Sequence, residues 1–132
     1  MFFRISAPST RGEVMRYTAE QLAMVVHEAN RGLQMAQEDT CPSPPWFSAP
    51  AEMKMSTIVA VKRVREGMGP AGLHQAWMDD KKQLGWVHGP HKDDVRKTHP
   101  CMIEWGDLPA GQRDKDRLFV TIVRMLSVEM MT

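Results

Sequence analysis

The sequence predicts a mainly α-helical domain, a small bundle of about four helices with one long ordered loop between the third and fourth. Three observations carry that prediction. Apolar residues recur at helical spacing in four separate stretches, and each stretch begins or ends at a proline, a glycine or a capping residue. The intervening segment from Trp86 to Trp105 has no helical period, yet it holds tryptophan and aliphatic side chains that favour order. The 132 residues are 42% hydrophobic, enough for one modest core and too few for two domains. The domain therefore spans residues 17–128, with an amino-terminal tail of residues 1–16 and a carboxy-terminal tail of residues 129–132.

The first helix begins at Thr18, where Thr18 and Gln21 make a capping box. Leu22, Val25, Val26, Ala29, Leu33 and Ala36 then form its apolar stripe. The run His27, Glu28, Ala29, Asn30, Arg31 within it reads as a solvated flank with one histidine at the core edge. The proline-dense segment from Asp39 to Pro50 stops this helix, and its Trp46–Phe47 pair is expected to anchor it to the core. A second helix runs from about Pro50 to Glu66, with Met55, Ile58, Val59 and the stem of Lys62 facing inward, and Gly67 to Gly69 end it. The third helix, Pro70 to Leu84, has proline in its first turn, Leu73, Trp77, Lys81 and Leu84 on one face, and Gly85 placed for a left-handed cap. The ordered loop that follows has room for a short β-hairpin. The last helix starts near Pro109, stapled by Leu108, with Leu118, Phe119, Ile122, Val123, Met125 and Leu126 as its buried face.

Composition narrows the function by exclusion. The formal net charge is +1 with 25% charged residues, so no global field steers the chain to nucleic acid or anionic membrane. No apolar stretch is long enough for a signal peptide core or a bilayer span. Cys41 and Cys101 lie far apart in dissimilar contexts, which fits a reducing compartment better than a disulfide scaffold. These features together predict a soluble cytoplasmic protein.

Chemistry concentrates between His74 and Trp105, which hold three of the four tryptophans and four of the five histidines. A zinc site built from His88, His91, His99 and Cys101 has suitable donors, but their spacing matches no established pairing. A Cys101 nucleophile assisted by His99, Asp93 or Asp94 is weakened by the flanking Pro100 and Met102, a setting typical of a buried thiol. No glycine-rich phosphate loop, GxSxG elbow or acid–base carboxylate pair occurs. Two readings remain open from the residues. Lys81, Lys82, Lys92, Arg96 and Lys97 among the histidines, beside Trp77 and Trp86, suit a nucleotide-like ligand held by stacking and charge-assisted hydrogen bonds. Equally, Asp79, Asp80, Asp93 and Asp94 nearly balance those cations, giving a solvated surface over buried tryptophans.

The same run resembles the RyR domain, a repeat module named after ryanodine receptors that also occurs in small bacterial and phage proteins. The resemblance rests on His74 and Trp77, on Gly85, Trp86, Gly89 and Pro90, on Asp93, Lys97, His99 and Pro100, and on Trp105, Leu108 and Pro109. The polar cluster around His27, the turn at Trp46 and the second helix extend it over roughly residues 17–126. His88 stands where the family usually has tyrosine, and Trp105 where tyrosine or phenylalanine is common.

The resemblance implies a mainly helical module with no catalytic activity of its own; no cofactor or metal is expected. In the receptors some repeats accommodate adenine nucleotides and others carry phosphorylation sites; the prokaryotic domains are linked to sensing nucleotide-derived signals such as ADP-ribose relatives. Carried onto this sequence, it marks Trp77 and Trp86 for base stacking. Lys81, His88, Lys92, Lys97 and His99 become contacts for phosphate or ribose, and Gly89, Pro90 and Asp93 complete the expected ligand-binding set, with the Gly89–Pro90 and His99–Pro100 pairs equally suited to fixing the loop's path. Trp86 is read first as a core anchor and second as a stacking platform. The expected function is a nucleotide-binding module, in a phage setting one that sequesters a host defence signal in the host cytoplasm; the alternative is a protein-interaction module without a small ligand. A module this small has limited surface to enclose a nucleotide, so a site shared between two copies in a homo-oligomer is also consistent with the sequence.

Overall fold

The computed structural model describes residues 14–39, 42–128 and 130–131. Four helices, α1 (Ala19–Ala36), α2 (Ala51–Arg65), α3 (Pro70–Gln83) and α4 (Ala110–Leu126), make the body of the fold. Two pairs of two-residue strands accompany them: β1 (Val14–Met15) with β4 (Met130–Met131), and β2 (Val87–His88) with β3 (Thr98–His99).

α1 starts at the capping box the sequence marks. The Gln21 N–H donates to Thr18 Oγ1 at 3.0 Å, and the Thr18 N–H donates to Gln21 Oε1 at 2.9 Å. These two bonds satisfy donors that a helix start leaves without intrahelical partners. Leu22, Ala23 and Val26 are buried against the other helices, whereas Ala36, at the far end of the stripe, is exposed. The polar cluster in this helix ties down the proline segment. His27 Nε2 lies 2.7 Å from the Pro44 carbonyl, Arg31 Nε donates to the Ser43 carbonyl at 3.0 Å, and Gln34 exchanges bonds with Ser43. His27 thus sits at the core edge, with the Trp46 ring edge-on at 5.5 Å.

Of the expected Trp46–Phe47 anchor only Trp46 is buried; Phe47 is 64% exposed. The short 3-10 turn Trp46–Ser48 places adjacent side chains on different sides, so one points in and the next out. The inward face of α2 also differs from expectation. Val61 and Val64 are the buried positions, Met55 is 60% exposed and Lys62 is exposed. α2 is apolar on more than one side, with Met53, Met55, Ile58, Val59, Ala60, Val61 and Val64 spread around it, so its own sequence does not single out the face its neighbours cover.

α3 ends as its sequence requires. Gly85 adopts φ 89°, the Gly85 N–H donates to the Lys82 carbonyl and the Trp86 N–H to the Lys81 carbonyl, both at 3.0 Å. This is a Schellman closure, which a Cβ at Gly85 would strain. Lys97 Nζ reaches back to donate to the Leu84 carbonyl at 2.7 Å. Leu84 itself, expected on the inward face, is 61% exposed. In α4, Phe119, Val120 and Val123 are buried, and Met125, expected inside, is 67% exposed.

The main core joins Leu22, Ala23, Val26, Trp46, Val61, Val64, Leu73, Phe119, Val120 and Val123, so all four helices contribute. Full burial of each large aliphatic is worth about 1.5–3 kcal/mol, which is why these few positions dominate the fold. A smaller cluster, Met78, Trp86 and Met102 with Trp77 packed against it, lies under the long loop.

That loop does not form the antiparallel hairpin for which the sequence has room. β2 and β3 run parallel, Val87 opposite Thr98 and His88 opposite His99. The chain reverses twice between them. The Asp93 side chain accepts the Val95 and Arg96 N–H groups at 2.9 and 3.0 Å, Asp93 and Thr98 pair antiparallel, and Lys97 takes φ 56°. Gly89 is required where this path closes, because a Cβ there would lie 2.6 Å from Thr98 Cβ. At the other end of the molecule β1 and β4 pair antiparallel, so residues 14–15 and 130–131, within stretches the sequence reads as tails, meet in a ribbon. Two-residue strands carry no period by which sequence would reveal them. The rest of the expected amino-terminal tail, residues 1–13, and Cys41 lie outside the described residues. Among the described residues no helix is long and apolar enough to cross a membrane.

Candidate functional site

A cleft of about 740 Å³ opens between α2, α3 and α4 and is flanked by the segment after β3. Its volume lies in the range of small-molecule sites, about 300–1,000 Å³. α3 supplies Leu73, His74, Trp77, Asp80, Lys81 and Leu84 from positions three and four apart, the spacing that puts side chains on one helix face. α2 faces them with Glu52, Met55, Ser56, Thr57 and Arg63, α4 adds Gln112, Asp116 and Phe119, and the loop brings His99 and Cys101.

Three aromatic rings organise one wall. Trp77 stacks on His74 with centroids 5.4 Å apart and meets the edge of His99 at 5.0 Å. His74 is buried, and its Nε2 lies 2.7 Å from the Ile103 carbonyl, which sets the ring position. His99 is held differently: its Nδ1 accepts the Cys101 N–H at 2.9 Å, so in the neutral ring the proton is on Nε2. Burial, then the charges of Lys92 and Lys81 and of His74, lower its pKa from 6.5 to about 4. At neutral pH His99 is thus an uncharged imidazole with one N–H to offer.

The other ionisable groups are also biased by their setting. Burial raises the Asp116 pKa, offset by the Trp105 indole N–H, which donates to its Oδ2 at 3.0 Å, and by His74 and Lys115. Trp105 is in turn overlaid by the Arg117 and Arg113 guanidiniums at 5.1 and 5.9 Å. Burial raises the Cys101 thiol, with Asp116 adding to the shift and Lys115 opposing it, so the thiol stays protonated at neutral pH and lacks nucleophilic character. Arg63 pairs with Asp80 at 3.1 Å across the α2–α3 side of the cleft. Lys81 Nζ sits 4.7 Å from the Trp86 ring centroid.

Of the residues the sequence marks for binding, the structure brings Trp77, Lys81 and His99 into the cleft. Trp86 is 9% exposed in the cluster with Met78 and Met102 and serves as the loop's anchor. Gly89, Asp93 and Lys97 are absorbed by loop closure, the turn and the α3 cap. His88, Pro90 and Lys92 are exposed on the loop and do not line the cleft. His88, His91, His99 and Cys101 do not converge; among the described residues no three histidine, cysteine or acidic side chains are grouped to hold a metal.

The sequence does not mark the α2 wall, Glu52, Ser56, Thr57 and Arg63, or the Asp116 carboxylate, and it reads Asp80 only as a countercharge to the nearby lysines. Only the placement of helices against one another makes them neighbours. His74 carried a signal in the sequence, its spacing three residues before Trp77.

A comparison with protein-family models matches the RyR domain over residues 50–129. The chain belongs to the RyR domain family. The matched span contains α2, α3, the long loop and α4, and so every side chain that lines the cleft. α1 precedes it and supplies one side of the main core.

Proposed function

We propose that this RyR-domain protein is a non-catalytic binding module that holds a nucleotide or nucleotide-derived molecule in the α2–α3–α4 cleft. The observation that carries this reading is the cleft wall itself: Trp77, half-buried between His74 and His99, borders a space of about 740 Å³ ringed by a few polar groups. A stacking surface next to sparse, oriented donors and acceptors is the usual composition of a nucleoside site. His99 Nε2–H offers a donor, Asp116 and Gln112 offer acceptors, and the two bordering cations are engaged within the fold, Arg63 with Asp80 and Lys81 over the Trp86 ring. The Cys101 thiol, kept protonated by burial, favours retention over turnover. In the cytoplasm, such a module sequesters or senses a signalling nucleotide, and a phage-encoded copy would withdraw that signal from its host.

Calorimetry against adenine nucleotides, cyclic oligonucleotides and ADP-ribose derivatives tests the reading. Saturable binding that Trp77→Ala removes, with the helical circular dichroism spectrum retained, supports it. A chain that binds nothing in that panel refutes it.

A second reading has one specific observation behind it. Met55 and Leu84 line the cleft yet are 60% and 61% exposed, an apolar border suited to a partner's side chain. Light scattering and pull-down from the native host separate the two, since a protein-interaction module requires a specific partner and no small ligand.

A further inference from the structure

We infer that the cleft takes the uncharged, nucleoside-like end of its ligand and turns polyphosphate away. This rests on the proposed nucleotide-binding function and specifies which part of the ligand goes inside.

The charge of the lining side chains favours a neutral group. Three carboxylates, Glu52, Asp80 and Asp116, border the cleft against two cations, Arg63 and Lys81. Arg63 is already paired with Asp80 at 3.1 Å, and Lys81 lies over the Trp86 ring at 4.7 Å. Lys97, the nearest further cation in sequence to the aromatic wall, spends its ammonium on the Leu84 carbonyl at 2.7 Å. The imidazole of His99 adds no charge at neutral pH, for the reasons of burial and neighbouring lysines given above. A phosphate chain inside this space would carry negative charge toward Glu52 and Asp116 with no unpaired arginine or lysine cluster to receive it. Desolvating an anion without such partners is costly, and phosphate sites ordinarily provide bidentate arginine or a fan of backbone N–H groups.

The same groups suit a neutral heterocycle. His99 Nε2–H is a single fixed donor, because its Nδ1 is occupied by the Cys101 N–H. Asp116 Oδ2 is engaged by Trp105, which holds the carboxylate in place as an acceptor. A donor and an acceptor beside an aromatic face match the edge of a base or the hydroxyls of a ribose.

The test is calorimetry on the full chain at fixed ionic strength, using the four common ribonucleosides, their 5′-monophosphates and their 5′-triphosphates, with ADP-ribose alongside. For whichever base binds, nucleoside and monophosphate are expected to agree within about threefold, and the triphosphate to bind about tenfold more weakly or worse. Glu52→Gln, which removes one bordering charge from a solvent-exposed helix position, should narrow that gap. Affinity that is equal or rises from nucleoside to triphosphate overturns this inference while leaving the binding function standing. Silence of every probe, ADP-ribose included, overturns this inference, and silence that extends to cyclic oligonucleotides overturns the binding function as well.

Discussion

The His99 ring is held neutral by its surroundings, and that has a measurable cost in acid. In the unfolded chain its pKa is 6.5, and in the folded protein burial and the nearby lysines bring it to about 4. Between those values the unfolded chain binds more protons than the folded one, so folding stability must fall as pH falls through that window. Above the unfolded value the contribution is fully present. The complete shift corresponds to about 3 kcal/mol, and solvent screening at a half-buried ring reduces this to about 2 kcal/mol. The perturbation is His99→Gln, which keeps an acceptor for the Cys101 N–H and removes the titration. Urea midpoints taken from about pH 7.5 down to about pH 4.5, converted with a common slope, isolate the effect as the difference between the two proteins. The wild type is expected to lose about 2 kcal/mol more than His99→Gln over that range. Parallel stability curves for the two proteins would refute the account of His99 as a neutral, desolvated imidazole.

Gly89→Ala is expected to destabilise by about 1–3 kcal/mol in chemical denaturation, because the new methyl meets Thr98 at 2.6 Å within a paired segment. Trp46→Ala should cost about 3–5 kcal/mol while Phe47→Ala shifts the midpoint by less than about 0.5 kcal/mol, since the first ring is buried and the second exposed. Thr18→Ala, which removes the N-cap acceptor of α1, is expected to cost about 1 kcal/mol, and Thr18→Ser to retain most of it.

How far the sequence reaches differs from element to element, and the differences have physical causes. α1 is legible to the residue because its start is written in local chemistry: Thr18 and Gln21 cap each other without help from the rest of the fold. The end of α3 is equally local, since Gly85 is the residue that tolerates the left-handed turn there. α2 shows the opposite. With apolar side chains on more than one side, the choice of Val61 and Val64 over Met55 and Val59 as the deepest positions is made by α1 and α4, not by α2 itself. The loop was recognisable as ordered from Trp86 and its Gly-Pro and His-Pro pairs. Its parallel pairing was not, because it depends on the Asp93 turn and the close approach of Gly89 to Thr98.

The site divides in the same way. Trp77, Lys81 and His99 were visible as aromatic and basic residues in a dense run, and they do border the cleft. Lys97, Asp93 and Trp86 belong to the same run and look alike on paper, yet each is consumed by structure. A lysine bonded to a helix end and a lysine facing a cleft have the same letter; only the position of the Leu84 carbonyl tells them apart. The carboxylates that define the cleft's charge come from the start of α2, from the last turn of α3 and from α4, three stretches that nothing in the chain's local pattern associates.

The claim on which the account turns is that ligand enters the α2–α3–α4 cleft and lies against Trp77. The four tryptophans report on this separately: Trp46 is in the main core, Trp86 under the loop, Trp105 beside Asp116 and Trp77 on the cleft wall. Nitrogen–proton correlation spectra recorded while titrating whichever nucleoside or nucleotide binds in calorimetry give one indole signal for each. The account predicts the largest shift at the Trp77 indole and little change at Trp46. A titration that moves the backbone signals of His88 and Lys92 while leaving Trp77 in place would contradict it.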